Sequence, residues 1–119
     1  MIKYKVDGKK LILETTQVTL QYEINKVKEV KDYLIVLVKN MGTGDVTKQP
    51  PNNIYAISKE GKIIWNIHDI VDKTIYFTGF NVKSDKDGNT VFIATDVGGL
   101  SYYIDLNNMV VLNVQGYRF

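Results

Sequence analysis

Acid–base chemistry has one histidine available in this chain, His68, with Asp69 and Asp72 shortly after it. A serine nucleophile needs a histidine base that a carboxylate orients, and the serine usually stands in a recognisable sharp-turn motif. No such motif accompanies His68. One histidine and no cysteine also exclude a histidine cluster or a thiolate site for a metal. We interpret His68 as a loop residue or the cap of a helical turn.

Two loops contain residue types that bind ions in other proteins. Residues 85–89, Asp-Lys-Asp-Gly-Asn, resemble part of a calcium loop, but the EF-hand pattern needs an oxygen ligand where this chain has Lys83. Residues 42–45, Gly-Thr-Gly-Asp, lack the lysine and the helix N-terminus that hold a phosphate. We expect a hairpin turn in the first case and a flexible loop in the second, with no metal and no cofactor.

Length and composition predict one cytoplasmic, soluble domain over residues 1–119. The chain is 45% hydrophobic and 24% charged, and it has no cysteine for a disulfide. Its N-terminus lacks the apolar region of a signal peptide, and the longest apolar run, residues 33–38, is too short to cross a membrane. The net charge is only +2 and Arg118 is the one arginine, which disfavours nucleic acid as a partner.

Alternation of apolar and polar residues dominates the chain and predicts an all-β antiparallel meander of about 8–10 strands. The stretch around Val27 and Val30 has a mixed pattern, and residues 68–73 could form a helical turn. The strand candidates are 2–6, 11–13, 18–24, 33–38, 54–57, 63–67, 75–82, 91–95, 100–106 and 110–114.

One long loop, residues 40–52, interrupts this rhythm and contains both prolines. Proline cannot donate to a strand ladder, so the segment is not a strand. A loop of this length is usually functional or mobile.

The hairpin candidate at 52–67 recurs 47 residues later. Residues 53–58, Asn-Ile-Tyr-Ala-Ile-Ser, align with residues 100–105, Leu-Ser-Tyr-Tyr-Ile-Asp, and residues 63–67 align with 110–114. At this register Gly61 aligns with Asn108, and both types tolerate a left-handed turn. Trp65 aligns with Leu112. Two blade-like units, about 24–67 and 79–114, follow from this alignment, and each has the length of a small sheet of about four strands.

The residues of this hairpin resemble a known family. Residues 54–57, Ile-Tyr-Ala-Ile, followed by residues 61–65, Gly-Lys-Ile-Ile-Trp, are similar to the blade repeat of quinoprotein (PQQ)-type β-propellers. Propellers need four or more blades to close a ring, and two units cannot do so. The resemblance therefore implies blade-like hairpins in a sandwich, a barrel or an open propeller-like pair, and none of the family's cofactor residues is carried over.

These observations predict a non-enzymatic protein–protein interaction module, for instance an immunity-type protein that neutralises a toxin by covering its surface. The alternatives are a domain that binds a small ligand or carbohydrate through Trp65 and tyrosines, and a structural homo-oligomer that completes its sheets by self-association. The position of Trp65 in a repeat favours packing over ligand binding. The contacts with a partner would come from the 41–52 loop, exposed tyrosines or a sheet edge. The candidate binding residues are Met41, Asp45, Tyr103, Tyr117 and Phe119.

Overall fold

A computed structural model describes residues 1–84, 87 and 89–116 of the protein. The candidate residues Tyr117 and Phe119 lie outside this part of the chain, and so does most of the turn expected at 85–89. Two short 3-10 helices, Val46–Lys48 and Ile67–Asp69, accompany the strands. The strands are β1 (Tyr4–Asp7), β2 (Lys10–Leu13), β3 (Gln17–Thr19), β4 (Glu23–Val30), β5 (Tyr33–Lys39), β6 (Ile54–Ser58), β7 (Ile63–Asn66), β8 (Phe77–Ser84), β9 (Thr90–Asp96), β10 (Leu100–Asp105) and β11 (Val110–Gly116).

The strands form three antiparallel sheets, which confirms the predicted all-β class. The first sheet has the order β1-β2-β3, the second β4-β5-β6-β7 and the third β11-β10-β9-β8, and the described residues form no closed barrel. Two details of the prediction were wrong. The stretch around Val27 and Val30 is strand β4, and the continuous run predicted at 18–24 is divided between β3 and β4. The reason is that β4 is an edge strand, where lysine and glutamate at exposed positions hide the alternation.

The second sheet lies between the other two. Its strand β5 is buried at every position from Tyr33 to Val38, so both faces of the sheet are covered. Leu11 and Leu13 of the first sheet pack against one face, which presents Leu34 and Val36. The third sheet covers the other face. There the core contains Ile35, Leu37, Ile54, Ala56 and Trp65 from the second sheet with Phe80, Phe92, Ala94, Tyr102 and Ile104 from the third.

Trp65 is a residue of this core, as the repeat predicts. Only 6% of its surface is exposed. Its ring meets Tyr33 edge-on at 6.3 Å between centroids and lies 5.9 Å from the ring of Phe92. Aromatic pairs at such distances stabilise a fold beyond the area that they bury. Trp65 therefore joins the second sheet to the third and is not available as a stacking platform for a ligand.

A buried amide also links these two sheets. Asn53 is fully buried just before β6. Its Nδ2 donates to the carbonyl oxygens of Val38 and Phe77, both at 2.9 Å, and its Oδ1 accepts from the backbone N–H of Phe77 at 2.8 Å. Phe77 opens the third sheet, so one side chain fixes the start of that sheet against the second.

The second and third sheets share one plan, down to their irregularities. The β4–β5 ladder shifts register beside Leu37 and Val38, and the β8–β9 ladder shifts at the equivalent pair, Thr95 and Asp96. The β6–β7 and β10–β11 ladders shift at equivalent places as well, between Ala56 and Ile57 and between Tyr103 and Ile104. The repeat predicted from the sequence is thus a repeat of sheets, spanning β4–β7 and β8–β11.

In the structure, the fourth strands of the two repeated sheets, β7 and β11, align with an offset one residue larger than the 47 residues of the sequence alignment. Ser58 bonds back to Lys62 in the first hairpin, whereas Asp105 pairs with Val110 in the second, so the second turn is one residue longer. Gly61 has the expected positive φ of 84°, but in the second copy it is Met109, not Asn108, that has one, at 56°. The structural counterpart of Trp65 is therefore Asn113, and Leu112 corresponds to Ile64.

This correspondence explains where the stack of sheets ends. On the second sheet, the face against the third presents Leu37, Ile54 and Trp65. The equivalent positions on the third sheet are Thr95, Ser101 and Asn113, on the face turned away from the second sheet. Arrays of stacked repeats need a polar outer face on the terminal unit to stay soluble. The third sheet is polar at these three positions, and among the described residues it is the last sheet of the stack.

Candidate interaction surface

The long loop after β5 is closed across its base by one of its own side chains. The side-chain amide of Gln49 accepts from the backbone N–H of Asn40 at 2.8 Å and donates to the carbonyl oxygen of Asn40 at 3.0 Å. The same amide nitrogen lies 3.4 Å from the carbonyl oxygen of Thr43. These bonds close the loop across its base, and the flexibility expected for residues 42–45 stays a prediction.

Within this loop, Met41 is presented to solvent while Asp45 has a local structural role. Met41 is 59% exposed, and its backbone N–H donates to the carboxylate of Glu23 at 3.3 Å. Asp45 caps the 3-10 helix Val46–Lys48, since Oδ1 accepts from the Thr47 hydroxyl at 2.7 Å and from its N–H at 3.0 Å. These two bonds lower the pKa of Asp45, the hydroxyl having the larger effect. Of the two candidates, Met41 has the freer side chain.

Tyr103 lies on a different surface. Tyr102 is buried in the core, and Tyr103 points to the opposite face of β10, the outer face of the third sheet, where it is half-buried. Ser101 and Gln115 line the same shallow surface. The described candidates thus belong to two regions, a loop of the second sheet and the outer face of the third.

The residues considered for chemistry make no site in the described part of the chain. His68 is exposed, and its Nε2 lies 3.8 Å from a carboxylate oxygen of Asp72. The described residues contain no group of three metal-binding side chains. A cleft of about 480 Å³ between the N-terminus and three turns is lined by both lysines and carboxylates, among them Lys3, Lys31 and Glu14.

The exposed apolar surface is concentrated on the last strands of the two repeated sheets. We call β7 and β11 the uncharged edges, because neither contains a charged residue and each pairs with a neighbour on one side only. They provide five of the eleven large apolar side chains that are exposed in the described residues. These five are Ile63 at 54%, Ile64 at 50%, Val110 at 46%, Leu112 at 58% and Val114 at 43%.

The bulges place one of these side chains at the same point of each edge. In the β6–β7 ladder Ile57 pairs with Ile63 and Ala56 pairs with Trp65, so Ile64 has no paired residue on β6. In the β10–β11 ladder Leu112 likewise has no paired residue on β10. A residue left out of the pairing by a bulge is free to turn outward. Each hairpin therefore presents an apolar residue, Ile64 or Leu112, at its extra position.

The other edges of the three sheets have the features that normally prevent strand pairing. Strand β4 contains four charged residues, and the N-terminal segment lies against it, with Ile2 N–H donating to Glu29 at 3.0 Å. Strand β8 contains Lys83, β1 contains Lys5 and Asp7, and β3 has only three residues. Charge and short length are standard protections of an exposed edge. Of the two uncharged edges, β7 is short, with four residues, whereas β11 has seven, so the bulge is the one such feature that β11 has.

Sequence reasoning passed over this surface because alternation shows that a segment is a strand but not whether the strand is central or at an edge. The adjacent apolar residues Ile63-Ile64 and Val110-Val111 gave no distinguishing signal, because β5 also consists of adjacent apolar residues and both of its faces are buried.

The fold and this surface define the protein as a stack of three antiparallel sheets, two of them built on one repeated plan, with exposed apolar edges. The chain belongs to the family described as domain of unknown function DUF7957, whose profile matches residues 1–115. No curated protein and no solved structure matches the chain. Among the described residues, no helix has the length and apolar character needed to span a membrane.

Proposed function

We propose that this protein is a non-enzymatic module that binds another protein through its uncharged edges, β7 and β11. The observation that supports the proposal is the concentration of exposed apolar side chains on these two strands. Exposed apolar surface on a soluble protein commonly marks a site of interaction with another protein. An unpaired strand also offers a row of backbone donors and acceptors to an incoming strand.

The burial of Trp65 favours this proposal over a small-ligand or carbohydrate-binding domain. A stacking platform needs an accessible aromatic ring, and the only tryptophan has 6% of its surface exposed. A ligand pocket also needs a few convergent polar groups in a mainly apolar cavity. The cleft between the N-terminus and the turns is instead open and charged.

An immunity-type role is one form of the same proposal. In it the partner would be a toxin, and the edges would cover part of the toxin's surface. The fixed loop with Met41 would be a second, smaller contact region. The identity of the partner distinguishes these forms, so the experiment must report both where binding occurs and to what.

Site-specific photo-crosslinking in cells that express the protein tests the proposal. A photoreactive amino acid would replace Leu112, which is 58% exposed, and in a matched variant Met41, which is 59% exposed. We expect a protein adduct of defined mass from position 112. A polysaccharide or nucleic-acid adduct, or no adduct at 112, would contradict binding at this edge. A protein adduct at 41 alone would move the interface to the loop.

A further inference from the structure

The first sheet has one strand fewer than the sheet that it covers. Strands β1, β2 and β3 lie against one face of the four-stranded second sheet. At one side the β1–β2 turn is bonded to β4, because the backbone N–H of Ile24 donates to the carbonyl oxygen of Gly8 at 2.9 Å. At the other side β3 lies against the β6–β7 turn, where a Cβ atom at Gly61 would be 3.1 Å from Cγ2 of Val18. The first sheet therefore extends from β4 to the β6–β7 turn.

The exposure of Ile63 shows where this cover ends. Ile57 of β6 and Ile63 of β7 are paired directly, so their side chains point to the same face of the second sheet. Ile57 is fully buried in the core that the second sheet shares with the first, whereas Ile63 is 54% exposed. The apolar face of the second sheet thus continues for one strand beyond the sheet that covers it.

The free edge of β3 lies beside this uncovered strand. The carbonyl oxygen of Thr16 and the N–H of Leu20 are bonded within the first sheet, at 2.8 Å and 2.9 Å. Backbone groups alternate in direction along a strand, so the N–H and C=O groups of Gln17 and Thr19 point to the open side. Residues 15–22 contain neither a charge nor a proline. With three paired residues this edge alone would hold a strand weakly, and the apolar face of β7 adds a second contact.

From this geometry we propose that an extended segment of the partner protein adds a fourth strand to the first sheet, antiparallel to β3 and over β7. The inference rests on the proposed function and states how the partner meets β7. Val18 points toward the second sheet, so a partner residue opposite Val18 points the same way and contacts Ile63. The segment therefore has apolar residues at alternate positions. In this mode of recognition main-chain bonds give affinity and alternate side chains give specificity.

Continuity with the core between the first and second sheets favours this position over direct pairing with β7. A strand paired with β7 would lie beside the second sheet, in its plane, and would leave the face of Ile63 exposed. A strand paired with β3 lies in the layer of the first sheet, about 10 Å from β7, the spacing at which side chains of stacked sheets interdigitate. Only the second arrangement extends the buried contact from Ile57 to Ile63.

Selection of phage-displayed random peptides of about ten residues, long enough for a strand, on the immobilised full chain tests this inference. We expect enriched peptides in which apolar and polar residues alternate. Ile63→Lys should weaken their binding at least about tenfold, because the added strand would bury the lysine. Gln17→Pro should do the same, because it removes a donor from the open side of an edge strand and leaves the bonds to β2. The controls are Val97→Lys, at an apolar position that is 44% exposed in the β9–β10 turn, and Gln17→Ala, which keeps the backbone donor. Both should bind as the native chain does.

Amide exchange measured by NMR with the most enriched peptide separates strand pairing from loose apolar association. The amides of Gln17 and Thr19 should exchange more slowly, and that of Val18, which faces β2, should not change. A library without enrichment, binding that Ile63→Lys leaves intact, or unchanged exchange at Gln17 and Thr19 would each overturn the inference. If Leu112 gives a protein adduct and the library yields no such peptide, the proposed function stands and this inference fails. Peptides that bind at β3 without an adduct at Leu112 would instead support this inference and remove β11 from the interface.

Discussion

Ile64 and Leu112 occupy the same structural position in the two repeated hairpins, although the sequence alignment matches Ile64 to Val111 and Leu112 to Trp65. Each is the residue that the fourth strand of its sheet leaves out of the pairing. Both are about half exposed, at 50% and 58%. The repeated feature is thus an apolar side chain held outside the ladder at a sheet edge, and the edge proposal depends on it.

Replacing Trp65 with alanine should destabilise the fold by about 3–5 kcal/mol, because the change removes a buried aromatic ring and leaves a cavity between two sheets. Urea unfolding followed by circular dichroism measures this. The control is Ile64→Ala in the same strand, where the side chain is half exposed and we expect a loss below about 1 kcal/mol. Tryptophan emission of the native protein should be blue-shifted and poorly quenched by iodide. Ready quenching would contradict the burial of Trp65.

Replacing Asn53 with leucine should cost about 2–4 kcal/mol, since the backbone groups of Val38 and Phe77 that it bonds would be left buried without a partner. The free energy of unfolding in urea reports the loss. Asn81→Leu, an exposed position in β8, should change it by less than about 0.5 kcal/mol. Equal effects of the two substitutions would show that the buried amide does not join the sheets.

Placing the apolar residues of the second sheet on the outer face of the third should cause the protein to self-associate through that face. The double variant Thr95→Leu and Ser101→Ile reproduces Leu37 and Ile54 at the equivalent positions. We expect concentration-dependent association that light scattering detects, because a terminal sheet without a polar outer face exposes a core-like surface. The conservative pair Thr95→Ser and Ser101→Thr should scatter like the native protein. A double variant that stays monomeric would count against the role of this face as a cap.

The cap that Asp45 provides should be lost in acid. Its pKa in the folded loop is lowered from the ordinary 3.8, so the ionised carboxylate is the form that the loop stabilises. The contribution is complete above the unfolded value and disappears as the pH falls below 3.8 through the lower folded pKa. The amide resonance of Thr47 should follow this titration, with a midpoint below 3.8. Asp45→Asn, which can still cap, should abolish it. A midpoint at or above the ordinary value would refute the cap.

The strands that the sequence predicts well are those whose environment is uniform along their length. β5 is a run of apolar residues because both of its faces are covered, and β10 alternates between more and less buried positions because one face is. β4 escaped prediction because the charged residues that protect an edge overwrite its alternation. The candidate residues Met41 and Asp45 were chosen because their loop is long, and the structure shows that the Asp45 carboxylate serves the loop itself.

The sequence by itself determined the all-β class, the repeat and the packing role of Trp65. The alternation of apolar and polar residues is a local pattern, and it can be read directly from the chain each time the repeat occurs. Only the tertiary structure decided which strands are edges, which face of the third sheet is uncovered, and that the second hairpin turn is one residue longer. These depend on what lies beside a strand in space. The charges of β4 are typical of a protected edge, but β7 and β11 have no such charges, and these two edges therefore emerged only when the sheets were seen together.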